Sequence, residues 1–284
     1  EGHGGLDNND TGVMLAMGLP LCYFWWRARP NLWTALSAGF AALVMTHALM
    51  LSYSRSGMVS AVAGLLWLAF HHRPRRHHLV IAPLAIIAVC YMAGPEIRAE
   101  FLSIGTYKED TTAQMRLQSW TRGWDTAWDH PFAGAGVRNS NLMSEAYGAE
   151  ANGRSVHNIY LQIAADSGIP AMVVHISMLL TSVFLLRSFR SRLQRRVRRA
   201  RIHNNTDPDD DSINEQCALA LALEGSVIAF AAGGMFLSLE FFELPWVVIA
   251  MAGALPAVCR SDDAPAPTIG ASDEKRADTV PLAG

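Results

Sequence analysis

Three positions in this 284-residue chain carry side chains suited to chemistry at a membrane face. Arg55 lies in the run Ser52-Tyr53-Ser54-Arg55-Ser56-Gly57, at a turn between two apolar stretches. A charged side chain costs about 2.5–3.5 kcal/mol at the centre of a membrane helix, and less near its end. Arg55 therefore either snorkels to lipid headgroups or is held at the membrane face to bind an anionic group. Arg116 lies in Gln114-Met115-Arg116-Leu117-Gln118, where an amphipathic helix begins, and taken alone it is a solvated residue of that helix. His157 stands where the chain re-enters an apolar stretch; taken alone it is structural or incidental. Asn158, next to it, is suited to cap the following helical turns. Gly168-Ile169-Pro170 then separates those turns from the next apolar stretch.

Other chemistry-bearing residues carry less. The run His71-His72-Arg73-Pro74-Arg75-Arg76-His77-His78 offers metal ligands, but its arginines fit anionic headgroups better. Asp209-Asp210-Asp211 sits in a polar linker, and Asp125 and Asp129 share a helix face that reads as solvated. Gly134-Ala135-Gly136 is a turn too short for a phosphate loop. The four cysteines (Cys22, Cys90, Cys217, Cys259) lie inside apolar stretches without C-x-x-C spacing, so they read as small apolar fillers. No nucleotide site is expected. A net charge of −2 argues against nucleic acid as a main partner.

The elements that must position these residues are membrane helices. Charged residues make up only 17% of the chain, against about 25% in soluble proteins. A bilayer core needs about 20 helical residues. That ruler gives about seven spans: 11–26, 31–53, 56–71, 78–94, 168–186, 217–237 and 242–259. Small residues such as Gly57, Ala61 and Gly64, and Gly233 with Gly234, should let helices approach closely. Sixteen of the 23 Lys and Arg follow the first, third, fifth and last spans, so those loops are expected to be cytoplasmic. The other seven (Arg55, Arg98, Lys108, Arg116, Arg122, Arg138 and Arg154) fall on the opposite side. The opening lacks Met and a basic region, so the chain reads as a fragment preceded by an odd number of spans.

The expected organisation is all-α, a polytopic transmembrane helix bundle with a large helical periplasmic loop. Residues 1–94 hold four spans and 95–157 the periplasmic loop. Residues 158–259 hold three spans with a basic cytoplasmic loop at 187–216, and 260–284 form a disordered cytoplasmic tail. Trp120, Trp124 and Trp128, spaced i, i+4, i+8, form one face of a loop helix, laid on the bundle or in the lipid interface.

Several motifs, in this order and on this side of the membrane, resemble the O-antigen ligase and polymerase superfamily. They are the run 52–57, Arg116 with Trp120, Asp129-His130-Pro131-Phe132-Ala133-Gly134-Ala135-Gly136-Val137-Arg138-Asn139, and the stretch from His157 to Ala171. The opening from Gly4 to Leu21 resembles the exosortase-associated O-glycosylation ligase branch. The resemblance implies transfer of a glycan from undecaprenyl diphosphate to a protein or lipid hydroxyl, on the periplasmic face of the bacterial inner membrane. It implies no metal and no other cofactor. Arg55 and Arg116 would bind the donor diphosphate, with Arg138 auxiliary, because guanidinium forks pair phosphate oxygens bidentately. They would also offset the charge growing on the leaving diphosphate. His157 would be the general base on the acceptor hydroxyl, a task suited to histidine's unperturbed pKa of about 6.5. The family's E-x-G-I-P-G pattern is altered here, with Asp166 and Ala171 in place of Glu and the second Gly.

A polysaccharide polymerase would share the fold, donor and arginines and differ in its acceptor. A transporter would need ionisable residues near the midplane, where Glu224 and His175 are the main examples. A non-catalytic scaffold would leave Arg55, Arg116 and His157 freely replaceable. The enzyme reading requires those three to converge on one pocket.

Overall fold

A computed structural model of the chain describes residues 8–28, 30–71, 111–137, 139, 156–202, 210–237 and 243–261. The expected span at 78–94, the auxiliary Arg138 and the tail beyond residue 261 lie outside the described residues. Those described form α1 (Asn8–Ala28), α2 (Leu32–Leu51), α3 (Arg55–His71), α4 (Thr111–Asp129) and α5 (Ile159–Ser167). Then come α6 (Ile169–Ile202), α7 (Asp210–Gly233) with a 3-10 turn at Gly234–Phe236, and α8 (Glu243–Ser261). No strand occurs among the described residues.

Among the described residues three helices are long and apolar enough to cross a membrane, over Leu32–Leu51, Ile169–Arg199 and Asp211–Phe236, with Glu243–Cys259 a shorter apolar helix. The sequence ruler selected α1 and α3 as well. Both form close to the expected bounds, but α3 has only 17 residues and α1 opens on polar Asn8, Asn9 and Asp10. The basic stretch after residue 186 is not a loop at its start. It continues α6 without a break to Ile202, giving a helix of 34 residues, about 51 Å long at 1.5 Å per residue. Arginine is a good helix former, so nothing in the sequence stops the helix where the apolar run ends.

The bundle centres on α7, which packs against α1, α3, α6 and α8. Its core joins Val13 and Met17 of α1, Ile159 of α5, Leu186 of α6, and Leu223, Val227 and Phe230 of α7. Small residues set the closest approaches. A Cβ at Gly57 would lie 2.7 Å from both the Gly12 carbonyl carbon and Leu49 Cδ1. Pro20, Gly64 and Gly225 meet where α1, α3 and α7 cross, and a Cβ at Gly64 would stand 3.0 Å from the Gly225 carbonyl oxygen. Pro20 donates no N–H to its own helix. Ser226 Oγ, from α7, lies 2.7 Å from the Met17 carbonyl and 3.1 Å from its own Ala222 carbonyl, so it ties α7 to α1 one turn before that proline.

Glu224 of α7 is a fully buried carboxylate. Arg190 of α6 meets it through both branches of its fork, Nε to Oε1 at 3.1 Å and Nη2 to Oε2 at 3.0 Å. Trp67 Nε1 of α3 donates to the same Oε2 at 2.9 Å. Arg190 Nη1 reaches the His71 carbonyl at 3.4 Å, and the His71 ring stacks on Trp67 with centroids 4.1 Å apart. One carboxylate thus ties three helices together. Glu224→Ala leaves Arg190 buried without it and should cost about 3–5 kcal/mol, whereas Glu224→Leu with Arg190→Leu should recover much of that loss. Gly57→Leu should destabilise separately by about 1–3 kcal/mol through overpacking. Thermal unfolding of the detergent-solubilised variants checks both expectations.

Candidate functional site

Arg55 is the first residue of α3, and the turn before it is held by polar contacts to α1. Ser54 Oγ accepts from the Gly57 backbone N–H at 3.0 Å, which caps α3. The Ser54 and Ser56 hydroxyls lie 2.9 Å apart, and both reach Asn9 Oδ1, at 3.1 and 3.3 Å. Tyr53 takes φ 51°, in the left-handed region that non-glycine residues rarely enter. Arg55 thus projects from a turn fixed on both sides, itself half-buried.

Among the described residues His157 is the other non-glycine residue with positive φ, at 52°. Its position follows from the residues around it. Asn158 caps α5, its Oδ1 accepting from the Tyr160 and Leu161 backbone N–H groups at 3.0 and 3.2 Å. Val156, buried, donates its N–H to Gln162 Oε1 at 3.0 Å. Gln162 Nε2 in turn donates to Asp166 Oδ2 at 2.8 Å. The segment entering α5 is therefore clamped from within α5.

Helix α4 holds the same segment from outside. Trp120 Nε1 donates to the His157 carbonyl at 3.3 Å. Ser119 Oγ lies 2.8 Å from the Arg116 carbonyl and 3.0 Å from the Val156 carbonyl, both acceptors for its single proton. A Cβ at Gly123 would meet Val156 Cγ1 at 2.8 Å. Arg116 and His157 are thus neighbours, with Ser119 and Trp120 between them, although 41 positions separate them in sequence. The packing face of α4 is Ser119, Arg122, Gly123, Thr126 and Ala127, all buried, and not the tryptophan stripe as a whole. Trp120 is half-buried near Phe236, while Trp124 and Trp128 are exposed and meet edge to face at 5.6 Å. Burial draws the Arg122 guanidinium below its ordinary pKa.

The link to Arg55 is indirect. Gly233 abuts Ser60, five residues along α3 from Arg55, and Gly234 abuts Ile159 at the start of α5. Tyr160 OH donates to the Ala231 carbonyl at 2.8 Å, fixing α5 on the end of α7. Arg55, Arg116 and His157 therefore occupy one end of the bundle. Arg138 lies outside the described residues. Among the described residues no three His, Cys, Asp or Glu side chains cluster as metal ligands.

Two of the motifs quoted from the sequence meet in space. Ala135 N–H donates to the Ala165 carbonyl at 2.8 Å, Gly136 N–H to the Asp166 carbonyl at 3.0 Å, and Ile169 N–H to the Pro131 carbonyl at 2.9 Å. Gly134 and Gly168 have φ +67° and +93°, and a Cβ on either would run into the opposing backbone, at Asp166 and Phe132 respectively. Here glycine is required twice over.

Residues 40–176 match the O-Antigen ligase family. The matched stretch runs from α2 to the first turns of α6 and contains Arg55, Arg116, Arg138 and His157. Over that stretch, just under half of the chain, the protein is similar to that family, and among its described residues are apolar helices long enough to cross a membrane. No curated protein matches the chain. Ser119 and Asn9 are not marked by the sequence, and Gln162 only by its i, i+4 spacing to Asp166.

Gly168, at φ 93° and ψ 162°, lies in a region essentially closed to side-chain-bearing residues, so Gly168→Ala should cost about 1–3 kcal/mol from backbone conformation alone, with the overlap at Phe132 in addition. Hydrogen exchange at Ala135, Gly136 and Ile169 should accelerate together. Unchanged protection there would show that the two turns do not hold each other.

Proposed function

We propose that the protein is a membrane glycan ligase that moves a glycan from undecaprenyl diphosphate to an acceptor hydroxyl on the periplasmic face. The observation that carries this reading is the neighbourhood of Arg116 and His157, built by Ser119 and Trp120 inside the stretch that matches the O-antigen ligase family. A cation and a base at one membrane face are what transfer from a lipid diphosphate requires. The acceptor oxygen attacks the anomeric carbon as its proton passes to His157. The bond from that carbon to the diphosphate oxygen breaks, and the diphosphate leaves with the electron pair. Attack opposite the leaving group inverts the anomeric centre.

Arg116 and Arg55 pair the diphosphate oxygens, and Arg138 assists. Their charge stabilises the departing diphosphate more than the bound donor, which lowers the barrier. The left-handed backbone of His157 is held by the cap of α5 on one side and the Trp120 bond on the other. Strain of this kind persists only where its surroundings over-determine it, and it gathers at functional sites. Asp166 acts behind the site through Gln162 and does not need to touch substrate. Resemblance to the exosortase-associated branch favours a protein hydroxyl as acceptor.

The test is glycan transfer in a strain deleted for the protein and complemented with variants, with membrane abundance followed in the same samples. His157→Ala should lower transfer by about 10²–10⁴-fold, the usual worth of a general base. Arg116→Ala should lower it by about 10²–10³-fold, with lipid-linked glycan accumulating. Arg116→Lys should restore only part, since it keeps the charge and loses the fork. Transfer at the wild-type rate in both alanine variants would remove this mechanism. An acceptor that proved to be a sugar on a second lipid carrier would make the protein a polymerase.

A further inference from the structure

The basic end of α6 carries an arrangement that glycan transfer does not use. Arg192, Arg195, Arg196 and Arg199 are spaced i, i+3, i+4, i+7, so they form one stripe. They line a concavity of about 480 Å³, and all four are exposed. Arg190 faces inward to Glu224. Nine residues, two and a half turns, separate it from Arg199, so the stripe faces away from the bundle.

The same stripe can be followed back along α6. Leu185 is seven residues before Arg192 and Val174 eighteen, both whole numbers of turns to within about 20°. They are 40% and 67% exposed, and Phe184 beside them is 68% exposed. This is the lipid-facing side of the helix. Arg192 lies 23 residues beyond Ile169, about 35 Å along the axis, and Arg199 about 45 Å. The hydrocarbon core is about 30 Å thick and the bilayer with headgroups about 40–45 Å. One helix face therefore offers an apolar surface at acyl-chain depth and four guanidinium groups at headgroup depth.

We propose that Arg192, Arg195, Arg196 and Arg199 form a binding site for an anionic phospholipid of the leaflet at this end of α6. Its phosphate is paired by the guanidinium forks and its acyl chains run along Leu185 and Val174. The charge complementarity is direct, since arginine forks match phosphate oxygens, and juxtamembrane arginines are drawn to anionic leaflets. The readout below is lipid retention, so it is independent of the glycan-transfer reading.

The purified membrane protein, delipidated in detergent, is titrated with phosphatidylglycerol or phosphatidylcholine, and bound lipid is counted by native mass spectrometry. Wild type should retain phosphatidylglycerol at least about tenfold better. Changing the four arginines to Gln should abolish that preference, whereas changing Arg73, Arg75 and Arg76 to Gln should leave it. A variant with Lys at the four positions keeps the charge that orients the helix. It should still prefer phosphatidylglycerol, more weakly than wild type. Equal retention of the two lipids by wild type overturns the site, as does equal loss in the Arg73, Arg75 and Arg76 variant. Displacement of the lipid by millimolar inorganic phosphate, or a preference for polyprenyl diphosphate over phosphatidylglycerol, also overturns it.

Discussion

The bond between Arg190 and Glu224 constrains the rest of the bundle. A carboxylate with no solvent exposure in an apolar helix is tolerable only if its charge is met and its lone pairs are filled. Arg190 meets the charge through two branches of its fork, and Trp67 supplies a further donor. Those partners come from α6 and α3, so the rotation and height of both helices are fixed against α7. With α7 held, its far end lies under Ser60 on one side and Ile159 on the other. The same rotation of α6 that turns Arg190 inward sends the Arg192–Arg199 stripe outward to lipid. An ionisable residue inside an apolar stretch raised the possibility of transport; here Glu224 is bonded to Arg190, near the basic end of α6, and to Trp67, and it ties helices together.

Close packing does the rest of the positioning. Helices in lipid gain little from apolar burial against one another and rely on contact distance. Gly12 and Gly57, Gly64 and Gly225, and Gly233 against Val13 all place backbone or short side chains within contact range of a neighbouring helix. Large apolar residues fill the core and also cover the outside, where Phe40, Phe70, Leu180 and Phe184 are among the most exposed. An apolar exterior of this kind is what a lipid solvent asks for.

At the other end, the candidate site is built by backbone more than by side-chain packing. The turn at 131–136 and the turn at 164–169 exchange main-chain hydrogen bonds, and α4 grips the carbonyls of Val156 and His157. Each contact satisfies a polar group that would otherwise be stranded near the membrane. Together they hold His157 in a backbone conformation it would not choose alone.

The sequence by itself pointed to apolar helices, and those over Leu32–Leu51, Ile169–Ile202 and Asp210–Gly233 form, because apolar length reports directly on the bilayer. It also marked Arg55, Arg116 and His157 as the residues to watch, through motifs that survive without any contact information. It did not give the end of the fifth helix, which runs on to Ile202 where a span ending at 186 is expected, since hydropathy measures the membrane and not the backbone. It could not say that Trp120 and Ser119, rather than the tryptophan stripe as a whole, would hold the histidine segment. Nor could it pair Glu224 with Arg190, 34 positions away on another helix. Those facts belong to tertiary structure alone, because helical periodicity says which residues share a face and nothing about which helix that face will meet.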